Sequence, residues 1–246
     1  MRNVLNSIIL VSTILSGTLS FAAGEFSLKD LDKLQTCAPG TIQEKNGQMA
    51  LDFLEAFVWW NAKDQLNMVG DDYIAWHASL AGLLESAPQY RGHVPFDKGQ
   101  WTKKTYVETL SFLAYANDLS QYKVKPTRVD CVGDDSVVLL ADFTGAQLRR
   151  EEATGCPTHG LAFGSRTHID VTFKNYSAVA PGGPSRRLVS RTYSHLDDLV
   201  SANVRLDLAK IVGDPKKPNA SNIPHNPANC KSRAQVLKEF QDQVNN

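Results

Sequence analysis

From Tyr122 the apolar pattern changes to a period of two, which is the period of a β-strand and not of a helix. KVKPTRVDCV and SVVLLADFTGAQL are separated by Gly133-Asp134-Asp135, a hairpin signal, and LAFGSRTHIDVTF and RRLVSRTYSHL supply two further strands around PGGP. Strands of this kind must bury one face against another layer, and the material for it precedes them. Gln48 to Val69 reads as a helix, with Leu51, Leu54, Phe57 and Val58 at helical spacing and Gly70 as a stop. Trp59 and Trp60 widen its apolar face, and a core role is their simplest explanation. A second helix is predicted around Trp101 to Asn117, on Val107, Leu110, Leu113 and Ala114. Between the helices DDYIAWHASL alternates, with Tyr73, Ala75 and His77 on one side and Ile74, Trp76 and Ala78 on the other. Helices and a short strand followed by consecutive long strands indicate an α+β domain with a curved antiparallel sheet.

The two ends differ in character from this middle. Residues 1–23 have a basic Arg2, an apolar run from Val4 to Leu15 and small residues at Ala22 and Ala23, the layout of a secretory signal peptide. The apolar run is shorter than the roughly 20 residues a bilayer-spanning helix needs, so a secreted chain with no membrane contact after cleavage is expected. Residues 24–47 form an N-terminal extension, 48–212 the domain, and 213–246 a C-terminal tail. In that tail GDPKKPNASNIPHNPANC has little to bury, whereas SRAQVLKEFQDQV can form a short helix on Val236, Leu237 and Phe240. Lys plus Arg and Asp plus Glu both number 26, without long runs of either sign, which argues against nucleic acid as a partner.

Four cysteines, Cys37, Cys131, Cys156 and Cys230, are read as two disulfides in an exported chain. No CxxC or HxxxH spacing suggests a metal site. Cys131 lies beside the Gly133-Asp134-Asp135 turn and Cys156 beyond the far end of the next strand. At roughly 3.3 Å per strand residue the two cannot reach one another, so each should meet Cys37 or Cys230. Asn175-Tyr-Ser and Asn219-Ala-Ser are glycosylation candidates if the source is eukaryotic.

Alternation along RRLVSRTYSHLDDLV places Val189, Arg191, Tyr193, His195 and Asp197 on one face, with Asp198 pointing away as a cap. The element order, together with DDYIAWHASLAG, DDSVVLLADFTGAQ, GCPTHGLAF and VSRTYSHLDDLV, resembles the SnoaL-like polyketide cyclase group of the nuclear-transport-factor-2-like superfamily. The long segment between Leu83 and Gln100, the expanded NYSAVAPGGPSRR hairpin and His159 depart from that pattern. The resemblance implies a cone-shaped α+β barrel whose N-terminal helices pack in a strongly curved sheet, leaving a pocket for a small apolar molecule. It also implies Asp197 as acid/base, His77 as its partner, and a pocket lined by Tyr73, Tyr193, His195 and Arg191, without cofactor or metal. An aspartate desolvated in such a pocket has a raised pKa suited to proton transfer.

Two readings lead at this point, ahead of a third, a secreted hydrolase of a different fold. One is a cofactor-independent cyclase, dehydratase or isomerase acting on a small apolar carbonyl compound. The other is a secreted, non-catalytic ligand-binding or dimeric interaction module, because one fold carries both kinds of function. His168 and Asp170 should face outward. His159 is placed at a loop rim and His225 in the tail.

Overall fold

The computed structural model describes residues 26–31, 33–78, 99–119, 122–150, 154–177, 185–196 and 230–246. Its elements are α1 (Ile42–Val58), α2 (Ala62–Met68), β1 (Val69–His77), β2 (Gln100–Thr102), α3 (Tyr106–Ala116), β3 (Lys123–Val132), β4 (Ser136–Arg150), β5 (Pro157–Tyr176), β6 (Arg186–Leu196) and α4 (Arg233–Asn245). They form the expected α+β fold. The sheet runs β2-β1-β6-β5-β4-β3. The four long strands are antiparallel, as their alternation and turns require. β1 joins them in parallel along β6, and β2 adds to β1 antiparallel.

The first helix differs from the sequence expectation at both ends, for local reasons. It begins at Ile42 and not Gln48, because the Thr41 side chain accepts from the Gln43 amide at 3.2 Å and Glu44 reaches back to the Gly40 amide at 2.8 Å. It breaks at Trp60, whose φ of 56° is left-handed. The amides of Trp60 and Asn61 turn back to the carbonyls of Phe57 and Ala56, a helix-ending arrangement that usually holds glycine. Here the indole takes that position and packs its ring 5.2 Å from Tyr122. Asn61 then caps α2 by accepting from the Asp64 amide.

Gly70 is not a helix stop but a strand residue in β1. A Cβ there would lie 2.1 Å from Cζ of Tyr176, so the missing side chain is what lets the phenol ring lie on the strand. The second expected helix is likewise shorter. Gln100–Thr102 pairs with β1, and Thr102 opens a turn in which its amide donates to Thr105 Oγ1 at 3.1 Å before α3 begins at Tyr106.

The core is built from the inward positions of the strands, Val129, Val137, Leu139, Val171, Phe173 and Val189, against Leu51, Leu54 and Leu110 of the helices. Arg187 locks the turn end of the assembly. Its Nε donates to Asn46 Oδ1 at 2.7 Å and its Nη2 to Asp135 Oδ1 at 2.7 Å and to the Asp134 carbonyl, while Asn46 Nδ2 donates to that same carbonyl at 2.8 Å.

The N-terminal extension covers the open edge of β3, where Gln35 bridges Val129 and the Val129 amide donates to the Leu34 carbonyl at 2.9 Å. Cys37–Cys131 fastens this strap, and Cys156–Cys230 fastens the start of β5 to the start of α4. Both pairings satisfy the expectation that Cys131 and Cys156 lie in separate bridges. The expected tail helix is α4, capped by Ser232 and packed on α2 and α3 through the buried Val236 and Phe240. Among the described residues no helix is long and apolar enough to cross a membrane.

Candidate functional site

Burial along β1 alternates as its sequence does. Tyr73 and Ala75 are 2% and 1% exposed, whereas Ile74 and Trp76 are 43% and 39% exposed. On β6 the inward side is Ser190 and Thr192, and Thr192 Oγ1 hydrogen bonds the Tyr73 hydroxyl at 2.7 Å. The parallel register sets Ile74 against Arg191 and Trp76 against Tyr193, so Arg191, Tyr193 and His195 lie with the exposed side of β1, whereas Val189, expected on that same face, turns inward because the pairing with β5 skips Ser190.

The residues expected to line one pocket therefore divide between two faces. Tyr73 lies on the helix-facing side with His77 its neighbour by alternation, and Arg191, Tyr193 and His195 lie on the outer side. Asp197 lies outside the described residues, as do the side chain of His159 and all of His225.

The inner face is rich in hydroxyls and amides that satisfy one another. The Tyr106 hydroxyl donates to Gln65 Oε1, and Gln65 Nε2 donates to the Phe53 carbonyl at 3.1 Å. Tyr73, Tyr106 and Gln65 are all fully enclosed, and burial pushes both phenols above their ordinary pKa, keeping them neutral donors. Thr192, Gln65 and Tyr106 were not singled out from sequence, because nothing local marks a Thr or Gln as a partner for a residue from a distant element. His77, half-buried at the end of β1, has its backbone amide on the Gly99 carbonyl at 2.9 Å. Burial of its imidazole, with a smaller effect from His195, lowers its pKa to about 4.

The outer face carries a row of rings. Trp76 and Tyr193 have centroids 4.9 Å apart, Tyr193 and His195 5.7 Å, and His195 and His168 4.7 Å. His168 and Asp170 face outward as expected and touch, Nε2 to Oδ1, at 3.0 Å. Nδ1 of His195 is buried in this row without a hydrogen-bond partner. Flanking charges pair as well, Arg166 with Asp142 across β5 and β4 at 2.7 Å and Arg128 with Asp130 along β3 at 2.6 Å. Among the described residues no three His, Cys, Asp or Glu side chains are grouped to hold a metal ion. Of the two sequons, Asn175 is exposed on β5 and accepts from Arg187 Nη1 at 3.1 Å; Asn219 lies outside the described residues.

No protein-family model matches the chain, and no curated protein matches it. Among solved structures it is similar to a candidate SnoaL-like polyketide cyclase from Shewanella denitrificans, at 9% identity over 65% of this chain and 96% of that one, with a TM-score of 0.44. It is also similar to a ketosteroid isomerase-like protein from Erwinia carotovora atroseptica, at 11% identity over 61% and 92% of the two chains, TM-score 0.38. A third is a nuclear-transport-factor-2-like protein of unknown function in nutrient uptake from Rhodospirillum rubrum, at 16% identity over 59% and 93%, TM-score 0.34. These likenesses bring no substrate or reaction to this chain. The solved structures to which the chain is similar include SnoaL-like and nuclear-transport-factor-2-like proteins, the group its sequence motifs resemble.

Proposed function

We propose that this chain is an exported interaction module that works through the outer face of its sheet and pairs there with a second copy of itself. The observation that carries this is the exposure of Ile74 and Trp76 beside Arg191 and Tyr193, at 43% and 39% for the first two, while the inner polar groups are occupied with one another. Exposed large apolar side chains gathered on one face are the character of an association surface. The flanking ion pairs of both signs suit a partner that presents the same balance, as a copy related by a two-fold axis does. Sedimentation of the oxidised, mature protein at micromolar concentration tests the reading. The expected result is a dimer that Trp76→Asp converts to a folded monomer. A wild-type monomer under those conditions overturns it.

One observation favours a second reading, proton transfer on a small apolar carbonyl compound. His77 is half-buried and held neutral by its surroundings, the state in which an imidazole can act as a base. On this reading Asp197 is its acid/base partner. His77→Ala and Asp197→Asn should each abolish turnover while leaving the protein folded, and full activity in both would sink it.

A further inference from the structure

We propose that the Cys156–Cys230 bridge is a redox latch: opened by a dithiol reductant, it releases α4 from the groove between α2 and α3. The inference goes beyond the proposed function and does not depend on it. Three observations carry it.

The first is how narrowly the helix is held. Of α4 only Val236 and Phe240 are buried, at 7% and 4% exposure, with Leu237 and Val244 half-buried and every other side chain exposed. Spaced four residues apart, Val236, Phe240 and Val244 make a single apolar stripe. Beside that stripe lie Arg233 over the Phe112 ring at 5.1 Å and the Ala62 amide on Gln243 Oε1 at 3.4 Å. This stripe is what seats α4 on α3 and α2.

The second is the contrast between the two bridges. Cys37 is 3% exposed and sits behind Gly47, where a Cβ would come within 2.7 Å of its sulfur. Its partner Cys131 is half-exposed, and at the C-terminal bridge Cys156 and Cys230 both are. An attacking thiolate needs a line of approach to a sulfur, and the C-terminal bridge offers it at either end where the first bridge offers it at one.

The third is the joint itself. At Gly155, with φ at 66°, a Cβ would lie 2.3 Å from the Lys231 carbonyl oxygen, so the two backbones meet face to face where the bridge closes. Cys156 and Cys230 both lie just outside β5 and α4, so the bridge closes this crossing beyond the end of the strand ladder. Opening proceeds by attack of a reductant thiolate on one bridge sulfur, breaking the S–S bond and forming a mixed disulfide. The second reductant thiol then displaces it. Two electrons and two protons pass to Cys156 and Cys230, which become thiols, and the dithiol becomes a disulfide.

Mild dithiothreitol treatment of the native protein, followed by alkylation and peptide mapping, should label Cys156 and Cys230 before Cys37 and Cys131. In the partly reduced protein, amide hydrogen exchange over 233–245 should quicken on the order of 10²-fold, while β4 and β5 keep their protection. A fluorescent peptide of residues 231–246 should bind that form and not the oxidised one. The proposal is overturned if Cys37–Cys131 opens first, or if exchange over 233–245 is the same before and after reduction. Cys156→Ser/Cys230→Ser is the matching variant; should it fail to fold, the reduction experiment on the native chain decides alone.

Discussion

His77 shows how one residue's surroundings become a property of the whole protein. Its folded pKa of about 4 lies below the ordinary 6.5, so between those values the unfolded chain binds a proton that the folded chain refuses. Stability contributed by the neutral imidazole is therefore complete above about pH 6.5 and is lost as the pH falls toward 4. Urea unfolding at pH 7.5 and pH 4.5 should show a larger loss for wild type than for His77→Gln, and equal losses would contradict the assignment. Sequence alternation assigned the side-to-side pattern of β1 correctly, since Tyr73 and Ala75 are buried while Ile74 and Trp76 are not, but in β6 the irregularity at Ser190 puts Val189 on the opposite side from Arg191. It could not say which side of one strand meets which side of the other. That depends on the parallel register of Trp76 with Tyr193, and no local signal in either segment specifies it.

At the scale of elements, the strands were legible and the helix ends less so. A period of two is repeated many times along β3 to β6, whereas a helix boundary rests on one or two residues. Thr41 with Glu44 was a readable cap, but a tryptophan in a position that usually holds glycine was not a readable stop. What joins the elements is carried by few residues, of which Arg187 ties α1, the β3–β4 turn and β6 together. Arg187→Ala leaves Oδ1 of the buried Asn46 and the Asp134 carbonyl without that donor, at an expected cost of about 2–3 kcal/mol in urea unfolding. Arg187→Lys should recover little of it, because a single ammonium cannot span the positions that the forked guanidinium reaches. Full recovery by lysine would mean that charge alone, and not the fork, holds the joint.

For the molecule as a whole, the described parts of the extension and of the tail reach the core at a few residues. Leu28 and Cys37 at one end and Val236 and Phe240 at the other belong to the same buried cluster as the strands. Composition suggested a loose tail because buried positions in α4 are few and its preceding segment is polar, yet cysteine spacing already required both ends to be tied in. Cys37→Ser/Cys131→Ser should lower stability by about 2–5 kcal/mol, as loss of a bridge closing a long loop does. Differential scanning calorimetry should find one lowered transition, and a separate early transition for the N-terminal strap would show that it is an independent unit.

The parallel seam between β1 and β6 also governs the order in which the chain can assemble. β1 emerges from the ribosome early, but its neighbours on the two sides are β2 and β6, and β6 follows only after all the other strands have been made. The meander from β3 to β6 needs only near neighbours and can close first, whereas the first half waits for a contact on the order of 10² residues distant. Until β6 arrives, Trp76 and Ile74 lie on a strand without its second partner, and that interval is when this protein is most open to a chaperone or to aggregation.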